Sequence, residues 1–228
     1  MSGKSVVSLL ALSAATVLGA AGEGGLEAVR ALKIENGVIQ RAETVADSAF
    51  TDRDGREHRE LPPRTVVRLL LRPAEGSNIN VEIWLPAAER WNGRFLGLGN
   101  GGAAGSINPA VFIGPLRSGY AAATTDMGTA PNADSGIGNK EVWKDFGYRA
   151  THLMTVAAKR VVRAYYGREP EFSYFSGGST GGQQALQEAQ RYPEDYDGIL
   201  AQVPAHCRTP LHAYFPVSYT QLTLPTIA

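Results

Sequence analysis

The chain has 228 residues, of which 43% are hydrophobic and 19% are charged, a composition typical of a globular protein with one good core. Its 22 basic and 22 acidic residues cancel, so the charge balance indicates neither a nucleic-acid partner nor an acidic tail. The chain has one cysteine and no spacing of cysteine and histidine that is typical of a metal site. We therefore predict no metal and no cofactor.

Residues 1–21 differ in composition from the rest of the chain. Lys4 precedes an uncharged apolar run that ends in the small residues Gly19, Ala20 and Ala21. This pattern predicts a secretory signal peptide, and an ordinary N-terminal helix is the alternative. We expect a secreted or periplasmic protein that has no membrane association after signal removal.

Strands and helices alternate along the middle of the chain. The predicted strands lie at 37–40, 66–71, 80–86, 94–99, 120–126 and 198–201, and a further strand ends at Ser176. The predicted helices lie at 26–32, 143–166 and 180–192. The runs 66–71 and 80–86 predict an antiparallel pair at the edge of the sheet. The order of elements predicts an α/β fold with a mostly parallel sheet.

The most informative stretch, 174–186, is an apolar run that breaks into glycines and resumes with helical periodicity. Within it, residues 177–181 match G-x-S-x-G, the strand–turn–helix elbow that exposes a nucleophilic serine. Ser179 is therefore the candidate nucleophile, and Gly177 and Gly181 let the strand and the helix approach closely. A plain glycine-rich turn is the alternative, which the flanking strand and helix patterns disfavour.

A second glycine cluster, Asn100 to Gly105, follows the predicted strand at 94–99. In a hydrolase with such an elbow, one oxyanion donor is the backbone N–H after the nucleophile, here that of Thr180. The other donor comes from an upstream glycine-rich loop, which makes Gly101 and Gly102 the candidates. A flexible loop or a phosphate loop is less well supported, because no G-K-[ST] ending follows.

Other polar residues receive structural interpretations. Asp126 ends a strand but precedes the serine, whereas the acid of such a hydrolase follows it, so we predict a capping role. His152 lies in the long helix, where a packed or solvated histidine is commoner than a base. The stretch 51–55 predicts a solvated turn rather than a calcium loop, because it supplies too few oxygen ligands.

Several segments resemble the tannase and feruloyl esterase family. These are 145–150, 166–168, 174–182 and 188–199, together with 95–105 and 119–126, within a likeness that covers about 24–215. The resemblance implies an α/β-hydrolase with a lid inserted late in the chain. It also implies that the partner is a small-molecule aromatic ester, such as an ester of ferulate or gallate. By position, Ser179 matches the family nucleophile, Thr180 one oxyanion donor, and Gly101 or Gly102 the other.

The chain departs from the family pattern in three places. Gly178 stands where family members usually have a cysteine bonded to one beside the catalytic histidine, so a bond worth about 2–5 kcal/mol is absent. The family's acid and histidine lie far downstream of the serine, and His206 and His212 come too early to be assigned. Residues 217–228 have no charge and no family likeness, which indicates a non-native tail.

These observations predict that 22–216 form the N-terminal part of an α/β-hydrolase domain whose lid and C-terminal strands are missing. The predicted function is a secreted serine ester hydrolase of phenolic-acid esters that is nearly inactive in this form, because an unassisted serine is a poor nucleophile. Two alternatives stay open: a non-catalytic binding or scaffold relative, and an acyltransferase or peptidase built on the same elbow.

Overall fold

The computed structural model describes residues 24–52 and 55–211, so the predicted signal peptide and the predicted tail lie outside it. The strands are β1 (Gly37–Val45), β2 (Phe50–Thr51), β3 (Glu57–His58), β4 (Arg64–Leu71), β5 (Ile79–Pro86), β6 (Arg94–Leu98), β7 (Ala121–Thr125), β8 (Phe172–Gly178) and β9 (Gly198–Gln202). The helices are α1 (24–30), α2 (Ile113–Arg117), α3 (Lys140–Lys144), α4 (Ala150–Tyr166) and α5 (Thr180–Arg191). None of the helices in the described ranges has the length and apolar character needed to cross a membrane.

The described strands form a seven-stranded mixed sheet in the order β1-β4-β5-β7-β6-β8-β9, and β2 and β3 form a separate hairpin. Strands β7, β6, β8 and β9 pair in parallel, whereas β1, β4, β5 and β7 pair antiparallel. The predicted α/β class is confirmed. The predicted antiparallel pair β4–β5 also forms, but β1 pairs with β4, so the prediction that this pair lies at the edge is wrong.

Side chains alternate along the strands, and the sheet therefore has a buried layer on each face. The layer shared with α4 includes Val67, Ile83, Ala123, Met154 and Val161. The layer shared with α2 includes Val66, Trp84, Ala122, Ile113 and Leu116. Both faces of the central strands are thus covered, which explains why β7 is buried at every position.

The long helix predicted at 143–166 is confirmed, with one interruption. The π-helical turn Asp145–Arg149 joins α3 to α4. The Asp145 carboxylate is fully buried and accepts hydrogen bonds from Arg149 Nε at 2.6 Å and from Ser77 Oγ at 2.5 Å. Burial raises the pKa of Asp145, and the hydrogen bonds from Arg149 and Ser77 oppose that shift. These contacts fix the π turn against the loop before β5.

The aliphatic residues of α5, among them Ala185 and Ala189, predict one buried face of the helix. The structure buries a different face. Gln184, Ala185 and Glu188 are buried, whereas Ala189 is exposed. The strand predicted at 198–201 forms as β9, but it is only partly buried, because Leu200 is 53% exposed. Within the described sheet, β9 pairs with β8 on one side, so its outer residues lack a second neighbouring strand.

A partly buried polar cluster joins α5 to α4. His152 Nδ1 lies 2.6 Å from Asp195 Oδ2, and the imidazole stacks on the Tyr192 ring at 3.9 Å, which confirms His152 as a packed residue. Glu188 is fully buried, and neither of its carboxyl oxygens has a hydrogen-bond partner among the described residues. Burial, together with the nearby charge of Asp195, raises the pKa of Glu188 to about 9.

We predict that Glu188→Gln stabilises the protein increasingly as the pH rises. The folded chain keeps the Glu188 proton up to about pH 9, while the unfolded chain, at the ordinary pKa of 4.5, releases it. Stability is therefore lost progressively between these two pH values, and glutamine removes this loss. The expected gain at pH 7 is about 3 kcal/mol.

Thermal unfolding of both proteins from pH 5 to pH 9 measures this difference. Glu194→Gln, at an exposed position six residues after Glu188, serves as the control and should leave the pH dependence unchanged. A Glu188→Gln stability difference that does not grow with pH would contradict the prediction.

Candidate active site

Ser179 lies in a strained turn between β8 and α5. Its backbone has φ 56° and ψ −116°, a region that costs a residue with a side chain about 1–3 kcal/mol. Three backbone hydrogen bonds hold it there: its N–H donates to Gln202 O at 3.1 Å, and its carbonyl accepts from Ala205 N at 2.8 Å and Gln183 N at 3.1 Å. Ser179 is exposed. This geometry is that of a nucleophile elbow.

The elbow depends on three glycines whose backbones are in contact. A Cβ on Gly177 would lie 2.4 Å from Gly181 O, and a Cβ on Gly181 would lie 3.0 Å from the Cα of Gly99. A Cβ on Gly99 would lie 2.6 Å from the Cα of Gly181. The predicted close approach at Gly177 and Gly181 is confirmed, and Gly99 is a third member that the motif did not indicate.

Gly178 lies directly before Ser179 but is not packed against other backbone. A Cβ there would lie 3.8 Å from its nearest neighbour, Gln202, which is an ordinary van der Waals distance. The structure therefore has room for a side chain at the position where the family resemblance implies a cysteine.

The glycine loop after β6 is bonded to the first turn of α5. The Thr180 hydroxyl donates to Gly102 O at 2.6 Å, and the Gly181 N–H donates to Asn100 O at 2.7 Å. A Cβ on Gly101 or on Gly102 would meet nothing within 4 Å, so both residues border open space. The fold thus brings Gly101 and Gly102 beside Ser179 and Thr180, at a helix N-terminus whose first N–H groups have no intrahelical acceptor.

Gln184 fixes the start of this loop, and the sequence analysis missed it. The Asn100 N–H donates to Gln184 Oε1 at 2.8 Å, and Gln184 Nε2 donates to Asn100 Oδ1 at 3.1 Å and to Thr151 Oγ1 at 2.9 Å. The signal that could have revealed Gln184 is its place three residues after Gly181, on the helix face that the glycine contact turns inward.

Asp126 has the predicted structural role. Its Oδ1 accepts from Gly128 N at 2.8 Å and from Asn80 N at 3.0 Å, and its Oδ2 accepts from Asn80 Nδ2. Burial raises its pKa, and these hydrogen bonds oppose the shift. The carboxylate therefore closes the turn after β7.

The histidines within the described residues all have other hydrogen-bond partners than Ser179. His58 pairs with Asp52 at 2.8 Å, His152 with Asp195 at 2.6 Å, and His206 Nδ1 lies 3.0 Å from the Pro204 carbonyl. His212 lies outside the described residues. In the described part of the chain, no histidine is therefore positioned as the base for Ser179.

Arg208 also contacts the elbow, although no sequence pattern indicated it. Its Nη2 donates to Thr180 Oγ1 at 2.8 Å, and its Nε donates to Gln183 Oε1. It lines a cavity of about 540 Å³, and a second cavity of about 250 Å³ borders Asn100 and Gly101. Both spaces therefore adjoin the elbow.

Among the described residues, one group has potential metal-donor atoms that lie close together. The distances within this group do not suit a divalent metal. Donor atoms of His152, Glu188 and Asp195 lie within 4.8 Å of one another. However, His152 Nδ1 and Asp195 Oδ2 are 2.6 Å apart, whereas two ligands of one tetrahedral ion with bonds of ~2 Å are separated by ~3.3 Å. This short distance is that of a hydrogen bond.

We predict that alanine strongly destabilises the protein at Gly177 and has almost no effect at Gly178. Gly177→Ala places a methyl group against backbone atoms of α5 and should cost about 3 kcal/mol or more. Gly178→Ala meets an open position and should change stability by about 0.5 kcal/mol or less. Urea unfolding of the two variants measures the difference, and equal stabilities would contradict the glycine contact.

The comparisons with known proteins agree on one family. A family model described as tannase and feruloyl esterase matches residues 65–215. An uncharacterized esterase of Xanthomonas campestris pv. campestris is 39% identical over 178 residues, which cover 77% of this chain and 31% of that protein. Feruloyl esterase B of Aspergillus niger is 36% identical over 136 residues, which cover 59% of this chain and 26% of that protein.

Two solved structures share the fold. An esterase from Aspergillus oryzae matches with a TM-score of 0.78 at 25% identity, over 89% of this chain and 42% of that one. Feruloyl esterase B from Aspergillus oryzae matches with a TM-score of 0.71 at 28% identity, over 79% and 37%. The chain thus spans less than a third of the length of the curated relatives named above. Its elbow, its α/β-hydrolase fold and the match over 65–215 show that the chain belongs to the tannase and feruloyl esterase family.

Proposed function

We propose that this chain supplies the nucleophile and the oxyanion hole of a carboxylic ester hydrolase that acts on esters of phenolic acids. The observation that supports this most directly is Ser179 at φ 56°, beside a glycine loop bonded to the first turn of α5. The names of the feruloyl esterase relatives support the phenolic-acid part of the substrate.

The proposed reaction begins with attack of Ser179 Oγ on the ester carbonyl carbon. The carbonyl oxygen becomes an oxyanion, which the backbone N–H of Thr180 and that of Gly101 or Gly102 stabilise. Collapse of the tetrahedral intermediate breaks the ester bond, releases the alcohol and leaves the acyl group on Ser179. Water then attacks this acyl-enzyme and releases the free acid.

We further propose that the general base and its acid come from residues outside the described ranges. Each described histidine is occupied elsewhere, so none of them is placed to remove the proton of Ser179. The chain as printed should therefore hydrolyse esters slowly, at a residual rate that depends on the oxyanion hole.

The test uses the printed chain, with imidazole added as an external base. We expect slow hydrolysis of methyl ferulate and slow fluorophosphonate labelling of the peptide that contains Ser179, both accelerated by imidazole. Ser179→Ala should abolish both reactions, because the nucleophilic oxygen is gone. Ser118→Ala, at an exposed serine, is the matched control and should behave as the parent chain does.

The outcomes separate the proposal from its alternatives. Labelling that persists in Ser179→Ala refutes the nucleophile assignment. No labelling of the parent chain at any imidazole concentration favours a non-catalytic binding relative. Product analysis with added alcohols and peptides distinguishes hydrolysis from acyl transfer and peptide cleavage.

We also propose that the protein is exported, with residues 1–21 as the signal peptide and 217–228 as a non-native tail. Both segments lie outside the described residues, and the described part begins at Gly24 in a helix. N-terminal sequencing of protein recovered from the culture medium or periplasm should give a start near Gly22. A start at Met1 or Ser2 would contradict export by cleavage.

A further inference from the structure

A third cavity, of about 450 Å³, lies at the antiparallel half of the sheet. Residues of β1, β4 and β5, of the β2–β3 hairpin and of the loop 105–109 line it. Its volume is within the range of ~300–1,000 Å³ that is usual for small-molecule sites. Neither Ser179 and Thr180 nor Gly101 and Gly102 line it. We call this space the hairpin cavity, and it is separate from the serine elbow.

A β-bulge in β1 brings Gln40 to the hairpin cavity. The β1–β4 ladder shifts register between Ile39 and Arg41, so Gln40 is an extra residue without a partner across the ladder. Gln40 lines the cavity. Bulges often lie beside functional sites, where the local kink redirects a side chain. The irregularity therefore indicates that the Gln40 amide has a use at this cavity.

Arg68 has unused hydrogen-bond donors at the hairpin cavity. Its Nε donates to Glu82 Oε2 at 2.8 Å, and the Glu82 carboxylate also accepts from Trp84 Nε1 at 2.7 Å. These contacts fix the guanidinium. The two terminal nitrogens of Arg68 have no hydrogen-bond partner in the described ranges 24–52 and 55–211. Their N–H groups are therefore available to an acceptor on a ligand.

Acceptor groups line the same cavity in fixed positions. The Asp52 carboxylate accepts from the Arg56 N–H at 2.9 Å and lies 2.8 Å from His58 Nε2. Asn80 donates through Nδ2 to Asp126, which directs its Oδ1 away from that carboxylate. No described residue donates to Asn80 Oδ1. The cavity therefore offers oriented acceptors as well as oriented donors.

An aromatic ring and two apolar side chains form the rest of the lining that contacts a ligand. The Phe50 ring stacks on the His58 ring, with centroids 6.1 Å apart and an interplanar angle of 19°. Ile107 and Pro109, in the loop after the glycine cluster, also line the cavity. Aromatic faces bind flat apolar surfaces. The hairpin cavity therefore suits a ligand that has both an apolar face and polar groups.

The donor and acceptor types select among ligands of that kind. A guanidinium only donates, a carboxylate only accepts, and the amides of Gln40 and Asn80 do both, so a ligand needs groups that donate and accept. Hydroxyl groups meet this requirement. Three carboxylates line the cavity, those of Asp52, Glu82 and Asp126, and they would repel an anion. A purely apolar ring would cover the Arg68 donors without replacing water.

We propose that the hairpin cavity is a carbohydrate-binding site for a neutral pyranose sugar, either free or as a unit of an oligosaccharide. The C–H face of the sugar ring lies on Phe50. Its hydroxyl groups accept from Arg68 and Gln40 and donate to the oxygens of Asp52 and Asn80. The proposal goes beyond ester hydrolysis and does not depend on it, because none of these residues contacts Ser179.

The test measures sugar binding by the full printed chain, which needs no turnover. Isothermal titration with xylotriose and with cellotriose should show a Kd of about 1 mM or tighter for at least one of them. Trigalacturonate, which carries three carboxylates, should bind at least tenfold more weakly than the better neutral sugar, because the cavity carboxylates repel it.

Two variants connect this binding to the hairpin cavity. Gln40→Ala changes an exposed side chain and should weaken sugar binding about fivefold, because one hydrogen-bonding group is lost. Arg68→Lys keeps a positive charge beside Glu82 but removes the forked donors, and it should weaken binding about tenfold. Thermal melts of both variants should match that of the parent chain within a few degrees.

Arg41→Lys is the matched control for Arg68→Lys. Arg41 lies next to the bulge and pairs with Glu43 at 2.5 Å, but it does not line the cavity. It should bind sugar as the parent chain does. Ser179→Ala should also bind sugar normally, so loss of esterase activity and loss of sugar binding are separate results.

Three results would overturn the proposal. The first is absence of binding by both neutral sugars at concentrations of ~10 mM. The second is binding that is unchanged in Gln40→Ala and in Arg68→Lys, which would place the sugar elsewhere on the protein. The third is trigalacturonate binding as tight as that of the neutral sugars, which would contradict the selection by the cavity carboxylates.

Discussion

The contact of three glycine backbones, Gly99, Gly177 and Gly181, is the constraint on which the site depends. The end of β6, the end of β8 and the start of α5 meet there at distances that admit no Cβ. The same approach lets the Gly181 N–H reach Asn100 O at 2.7 Å. A larger residue at any of the three would therefore move both the helix N-terminus and the glycine loop. Ser179 and the glycine loop are thus positioned by one backbone contact.

That contact also sets which face of α5 is buried. Once Gly181 points inward, helical geometry turns the residues three, four and seven positions later inward too, and these are Gln184, Ala185 and Glu188. The aliphatic residues of the helix suggested a different face, which included Ala189. Tertiary contact overrides periodicity here, and it brings two polar side chains into the interior. Gln184 is fully hydrogen-bonded to its neighbours, whereas Glu188 avoids a buried charge by keeping its proton.

Features that depend on residues close together in the sequence could be predicted, whereas features that depend on residues far apart could not. The elbow, the glycine loop, the long helix and the β4–β5 pair have local signals: motif spacing, periodicity and turn residues. The pairing of β1 with β4 escaped prediction because its exposed Val38 gives no clean alternation. Gln184 and Arg208 escaped because their partners, Asn100 and Thr180, lie 84 and 28 residues away. Hydrogen bonds between residues so far apart produce no periodic pattern in the sequence. Only the fold brings the donor and the acceptor together.

Thr180 connects the glycine loop, the helix terminus and the cavity that Arg208 lines. Its hydroxyl donates to Gly102 O and accepts from Arg208, so its single proton and one lone pair are both used. A hydroxyl that accepts from a cation becomes a better donor, and the bond that holds Gly102 should strengthen accordingly. Any movement of Arg208 acts on the same hydroxyl, and through it on the loop that contains Gly102. The cavity and the glycine loop are therefore connected through one side chain, the threonine that directly follows Ser179.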